Sequence, residues 1–390
     1  MMVNTPTFPN PDLVVGDDNK PRWNEPAHRR HGFFNLHRLW RYGLTFRAAQ
    51  VMPLELRADL RIATMPDLQR LVELPFFSAM LVLRGHHLLF ERYASDFGPA
   101  QPHSIQSVSK TMMNLIIGRL IDDGAVSLEE KVSTYLPEIG SGYAGASIQQ
   151  VLDMDVANEY SEDYDDPYTM AYFHEEAEGF RLPLEFDREQ TMRSFIGSIG
   201  GSGVANHTGH MLYKSANTDV LAWIAERVTD RPLRAILAEL ADAAGFEGQL
   251  HIATDRLGVP VMNSGACLTA RDLARYGAIF ARRGLGADGR QVGSASFIER
   301  SLKGGLPMPE ARKPLRYSNH VNTNGRWLGH GGYGGQYMLV DLTTGIVGVF
   351  LSVLDNRSGY DPAYYAPIIR ALEAIGEMKS EDDSAALPVP

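Results

Sequence analysis

The sequence predicts an α+β protein: an antiparallel sheet built from the two chain ends, flanked by helices, with a mostly helical domain inserted between them. Two observations carry this. Short apolar runs broken by turn residues cluster at 79–93 and 336–354, whereas most segments between them repeat their apolar residues at helical spacing. The ends, 1–121 and 251–390, are expected to form one α/β domain around an insertion at 122–250. A cleft should lie where the two meet, the usual place for a site.

Along the chain, residues 1–26 are polar and proline-rich and are expected to run extended or loose. Residues 79–84 and 88–93, joined by Gly85-His-His, read as a β-hairpin. The segment 112–122 is apolar at Met112, Met113, Leu115, Ile116, Ile117 and Leu120, with Gly124 just beyond, which reads as a buried helix with a glycine stop. Helical spacing recurs at 147–153, 218–228, 233–244 and 270–282. A second hairpin follows at 336–342 and 346–354, then a helix at 361–378 with Tyr365, Ile368, Leu372 and Ile375 on one face. The acidic tail at 379–390 is expected to be loose.

The composition, 44% hydrophobic and 22% charged, is ordinary for a chain with ample core. A net charge of −10 argues against a nucleic-acid binder and against anchoring to anionic lipid. The single cysteine, Cys267, allows no internal disulfide and no Cys-His zinc pattern; its apolar context reads as core. Residues 1–22 show no apolar signal-peptide region, and no apolar run reaches membrane-spanning length, so a cytoplasmic protein without membrane contact is expected. A homodimer is left open.

Ser107 and Lys110, in Ile-Gln-Ser107-Val-Ser-Lys110-Thr, stand at the mouth of the 112–122 helix. Residues three apart share a helix face. If Ser107 opens this helix, the Lys110 amine lies beside its hydroxyl, and a buried amine sheds its charge more easily. Lys110 is thereby a candidate base for a serine nucleophile. Tyr213, in Tyr213-Lys-Ser215-Ala-Asn217, precedes another amphipathic helix and offers a phenol that can relay a proton. Gly329-His-Gly-Gly-Tyr333-Gly-Gly335 satisfies G-x-G-x-x-G, but a strand follows where a dinucleotide fingerprint needs a helix. It reads instead as an edge strand whose glycines let substrate approach the backbone, with a backbone N–H as oxyanion donor.

In this order the three elements resemble the S-x-x-K, Y-x-N and K-T-G motifs of serine β-lactamases and penicillin-binding proteins. The runs at 106–111, 151–154, 162–167, 213–228 and 269–275 resemble class C β-lactamase-like carboxylesterases, and among them the 6-aminohexanoate-dimer (nylon-oligomer) hydrolases. The resemblance implies a β-lactamase-like fold. It also implies Ser107 as acylated nucleophile, Lys110 as base and Tyr213 as relay, with the N–H groups of Ser107 and Tyr333 as oxyanion hole. By position it further implies Tyr164 as a loop tyrosine closing over substrate, Glu175 as an acid near the substrate amine, and Asn263 as lining the acyl pocket. The acidic run Glu162-Asp-Tyr-Asp-Asp166 otherwise reads as a solvated loop.

Two departures shape the expected substrate. The second element is Tyr213-Lys-Ser215 rather than Y-x-N, and a literal Tyr317-Ser-Asn319 sits out of order as a decoy. His330 and glycines occupy the place of the K-T-G lysine, which in lactamases contacts the substrate carboxylate. The expectation is a serine hydrolase of small esters or linear amides, using no cofactor or metal. A β-lactamase or D,D-peptidase, and an acyltransferase, are the rival readings; a silent binding protein is disfavoured by the intact Ser107, Lys110 and Tyr213. No G-x-S-x-G elbow is present, which speaks against an α/β-hydrolase fold.

Overall fold

The computed structural model describes residues 22–164, 166, 168–183, 189–201 and 207–379. The strands are β1 (Gly43–Phe46), β2 (Glu55–Leu56), β3 (Phe77–Arg84), β4 (His87–Tyr93), β5 (His103–Ser104), β6 (Leu250–Ala253), β7 (Ala266–Leu268), β8 (Leu306–Pro307), β9 (Arg316–Ser318), β10 (Val321–Thr323), β11 (Trp327–Gly332), β12 (Gln336–Asp341) and β13 (Ile346–Ser352). The helices that matter for the site are α1 (Arg29–Leu39), α2 (Thr111–Asp122), α3 (Met170–Ala177), α4 (Ser215–Thr229), α5 (Leu233–Ala244), α6 (Ala270–Ala281) and α7 (Pro362–Gly376).

The main sheet has nine strands in the order β2-β4-β3-β13-β12-β11-β10-β9-β8, so early strands pair with late ones. β3 lies antiparallel to β13, with Leu81 opposite Val349 and Leu83 opposite Val347. Successive side chains of a strand point to opposite faces. On β3, Ala79, Leu81 and Leu83 therefore join one apolar layer while Met80 and Val82 join the other, together with Phe77, which lies beyond an irregularity in the register. Both faces of the sheet are covered, by α6 on one side and α7 on the other, and on the α7 side β3 itself is covered by the helix Pro66–Val72, which is why β3 reads as an unbroken apolar run. Each fully buried Leu, Ile or Val here contributes roughly 1.5–3 kcal/mol. α6 settles close to the sheet because Gly277 carries no Cβ; one would stand 2.5 Å from Val347 Cγ1.

Three expectations are corrected. β11, the glycine-rich strand, is not an edge: β10, β9 and β8 continue the sheet beyond it. The sheet is not wholly antiparallel, since β2 runs parallel to β4. The loose N-terminal segment ends before Pro26, because Trp23 is buried against Phe33 and Arg29 Nε donates to Asn24 Oδ1 at 2.9 Å. Residues 1–21 and 380–390 lie outside the described residues. A second, four-stranded sheet, β1-β6-β7-β5, was not foreseen, since strands of two to four residues carry too little periodicity to be read. Among the described residues no helix is long and apolar enough to cross a membrane.

Candidate active site

β5 leads directly into a single 3-10 turn, Gln106–Lys110, which passes into α2. Ser107 therefore sits one tight turn before the α-helix it was expected to open. The bend is made by Gln106, whose φ of +49° is left-handed. A non-glycine residue held there costs on the order of 1–3 kcal/mol, a strain that clusters at functional sites. The 3-10 turn has a use: with three residues per turn, i and i+3 eclipse. Ser107 and Lys110 thus face each other squarely, with Lys110 Nζ 3.2 Å from Ser107 Oγ.

Lys110 is fully buried and has two other partners: Ser215 Oγ at 3.0 Å and the Asn263 carbonyl at 2.8 Å. The carbonyl can only accept. Ser215 Oγ donates its own proton to Glu162 Oε1 at 2.7 Å, so toward Lys110 it too can only accept. Two amine hydrogens are therefore committed, and the third tetrahedral position points at Ser107. In a neutral amine that position is a lone pair. Glu162 also accepts from the Ser215 N–H at 2.6 Å, which fixes the serine at the head of α4. Neither Ser215 nor Glu162 was singled out from sequence. Ser215 was set aside as a mismatch to Y-x-N, although its spacing from Tyr213 was the signal. Glu162 was read as part of a solvated acidic run, yet it turns inward.

Tyr213 places its ring 5.0 Å from Lys110 Nζ, and among the described residues its hydroxyl makes no hydrogen bond. Tyr317, the decoy, lies behind the site with its ring edge-on to both Tyr213 and His330. His330 is buried on β11, its Nδ1 2.6 Å from the Gly331 carbonyl and its Nε2 3.3 Å from Tyr317 Oη. Burial, and then the neighbouring Lys110, hold its pKa well below the ordinary histidine value, so the ring is neutral where a K-T-G lysine would be charged. At the end of the strand, Gly332 presses on the nucleophile turn: a Cβ there would lie 2.5 Å from the Ile105 carbonyl oxygen. This closeness brings the following Tyr333 amide to the Ser107 side of the cavity. Among the described residues, neither the Ser107 nor the Tyr333 N–H donates to a protein acceptor.

Asn263, in the β6–β7 connection, joins Lys110 to a second buried cluster. Its Nδ2 donates to Asp219 Oδ2 at 2.6 Å and to Glu178 Oε1. His174 Nε2 lies 3.3 Å from both of those carboxylates. Burial alone would lower the His174 pKa, but Glu178 and Asp219 outweigh it and push it up to about 9. Burial, with Asp219 beside it, pushes Glu178 upward as well. The His174, Glu178 and Asp219 ligand atoms lie close enough to suggest a metal. The donor set does not fit one: the Asn263 amide hydrogens already point at both carboxylates, and His174 holds its proton.

Because its folded pKa is raised, His174 stabilises the fold fully below about pH 6.5, and that contribution fades as pH rises through about 9. A His174→Phe variant, which keeps a ring against Phe195 but leaves Glu178 and Asp219 with the Asn263 amide and without the His174 countercharge, should lose about 3–5 kcal/mol at pH 7. Urea melts should show this gap narrowing between pH 7 and pH 9.5; a gap below about 1 kcal/mol at every pH would contradict it.

Ser107, Tyr213, Asn263, Glu175, Tyr164 and His330 all line one cavity of about 1110 Å³. Glu175 lies 3.6 Å from Arg181 Nε. Tyr164 is half exposed, its carbonyl accepting from Tyr172 Oη at 2.9 Å. Two members of the expected lid, Asp165 and Pro167, lie outside the described residues. Trp23 and Pro26 add a wall from the N-terminal segment.

A serine paired with a buried lysine on a 3-10 turn, facing a glycine-bearing strand of a large sheet, is the arrangement of a β-lactamase-like serine hydrolase. The family model described as Beta-lactamase matches residues 69–371, and the chain belongs to the beta-lactamase family. A 6-aminohexanoate-dimer hydrolase of Paenarthrobacter ureafaciens is 36% identical over 299 residues, 76% of this chain and 75% of that protein. Among solved structures, a Bacillus anthracis protein described as a 6-aminohexanoate-dimer hydrolase superposes with a TM-score of 0.78 at 21% identity, covering 95% of this chain and 98% of that one. A penicillin-binding protein homologue from Caulobacter crescentus gives a TM-score of 0.59 at 16% identity over 81% of this chain and 98% of its own. The α+β, β-lactamase-like fold expected from the sequence is the fold observed, and the chain is a hydrolase of this family.

Proposed function

We propose that the protein hydrolyses linear amides and small carboxylic esters through an acyl-enzyme on Ser107. The observation that carries this is the orientation of Lys110: with two hydrogens held by Ser215 and Asn263, its remaining position faces the Ser107 hydroxyl. In the first step Lys110 takes the Ser107 proton while Oγ attacks the substrate carbonyl carbon. The Ser107 and Tyr333 amides, without protein acceptors among the described residues, hydrogen-bond the developing oxyanion. Tyr213 passes the proton to the departing nitrogen or oxygen, the C–N or C–O bond breaks, and the acyl group stays on Ser107. Water then attacks the acyl carbon as Lys110 takes a proton from it, the bond from that carbon to Oγ breaks, the acid departs, and Lys110 passes the water's proton to Oγ. Tyr164 and Glu175 meet the substrate from the helical side of the cavity, and Asn263 acts through its carbonyl. The amide reading draws on the relative that acts on 6-aminohexanoate dimer.

The test is an activity profile across nitrophenyl esters, linear amides and a chromogenic cephalosporin. The neutral His330 supplies no charge at the place of the K-T-G lysine for a lactam carboxylate. A lost charged contact of this kind costs several kcal/mol, so cephalosporin kcat/KM should fall at least about 100-fold below that for short-chain esters. Comparable values would favour the lactamase reading instead.

A further inference from the structure

On the sheet side of the cavity stands a cation that the chemistry above does not use. Arg312, in the short turn between β8 and β9, lines the cavity half-buried. Its guanidinium lies 5.0 Å from the Tyr360 ring centroid and 5.1 Å from that of Tyr365. Nε donates to Tyr360 Oη at 2.7 Å, while the two terminal nitrogens donate to no acceptor among the described residues. No carboxylate among the described residues forms an ion pair with it. Of the other arginines lining the cavity, Arg29 grips the Leu354 and Asn356 carbonyls, Arg181 pairs with Glu175, and Arg357 is exposed and, among the described residues, not held between aromatic rings. The opposite wall carries Glu162, Glu175 and Glu178.

Two aromatic rings thus hold a planar fork of donors in place, facing a cavity. That is the arrangement that recognises a carboxylate with two parallel hydrogen bonds, and pre-orientation removes much of the entropy cost. The position is linked to the reacting centre. Tyr365 Oη donates to the Gly332 carbonyl at 2.5 Å, beside the Tyr333 amide. The Arg312 charge is also felt at His330, among the groups that lower its pKa.

We propose that Arg312 is the receptor for a terminal carboxylate on a linear substrate, so that the protein selects chain-like amides or esters carrying a free acid at one end. This rests on the hydrolase reading above and adds the substrate's charge. It is compatible with weak lactam turnover. Arg312 packs on the Tyr365 ring, whose hydroxyl in turn reaches the Gly332 carbonyl of β11, so the Tyr365 ring stands between the guanidinium and that strand.

Two matched substrate pairs test it with the full chain. The dimer of 6-aminohexanoate is compared with its terminal carboxamide, which places the acid on the leaving half. The mono-nitrophenyl ester of adipic acid is compared with its carboxamide, which places it on the acyl half. In one pair, wild-type kcat/KM should favour the acid by about 10-fold or more, mainly through KM. In Arg312→Gln that ratio should fall to near one, and Arg312→Lys should restore part of it. A ratio near one for wild type in both pairs, or one unchanged in Arg312→Gln, overturns the assignment. Labelling of Ser107 by a fluorophosphonate separates the two ideas. A labelled, active enzyme without discrimination removes only the carboxylate receptor; an enzyme that neither labels nor turns over any substrate removes the hydrolase reading as well.

Discussion

Replacing Ser107 with alanine should lower ester and amide hydrolysis on the order of 10⁴- to 10⁶-fold while leaving the fold intact. The change removes one half-buried hydroxyl from the 3-10 turn. The neighbouring amine keeps its contacts to Ser215 and Asn263, so no buried charge is stranded. What is lost is the hydroxyl proposed to attack, which lies 3.2 Å from the Lys110 amine. Residual activity should come from the amides alone. Intact-mass analysis after fluorophosphonate treatment should show a single adduct on wild type, mapped to Ser107 by peptide sequencing, and none on the variant. An adduct elsewhere, or activity within tenfold of wild type, would refute the assignment.

The second large effect is expected at Lys110. Lys110→Arg keeps a positive charge and most of the stem, so a purely structural cation would tolerate it. Two physical facts oppose tolerance. A guanidinium does not give up its proton at any working pH, so it cannot take one from serine. Its fork is also wider than an ammonium, and the site gathers three oxygens around a single nitrogen, at 2.8, 3.0 and 3.2 Å. Activity should drop on the order of 10³-fold or more, an effect of the size a general base supplies. Circular dichroism and a thermal melt would verify folding. An Arg variant with near-normal kcat would take Lys110 out of the base role.

The sequence announced some of this and concealed the rest, for reasons that can be named. Both hairpins were legible as paired apolar runs flanking a turn, and the long helices because eight or more residues of helical spacing leave a strong pattern. β5, β6 and β7 were not, being too short for a period to show. Ser107, Lys110 and Tyr213 stood out because their spacing is itself the motif. Ser215, Glu162 and the His174–Glu178–Asp219 cluster were hidden because their meaning lies in contacts made across the chain: Glu162 reaches Ser215, and Asn263 reaches both Glu178 and Asp219. The edge-strand error on β11 has the same origin. A local run of glycines cannot reveal that β8, β9 and β10 return to cover its flank.

The pairing of β3 with β13 has a consequence for how the molecule comes into being. As the chain leaves the ribosome, β3 and β4 can close into a hairpin at once, since their turn is only two residues long. The other side of β3 must wait for β13, which is made only after more than half the chain has followed. Throughout that interval an apolar strand with an open row of N–H and C=O groups is available to any other extended segment. Heterologous production should therefore benefit from slow synthesis, low temperature and chaperone supply. A fragment ending before Ile346 should collect in inclusion bodies even though it contains Ser107, Lys110 and Tyr213.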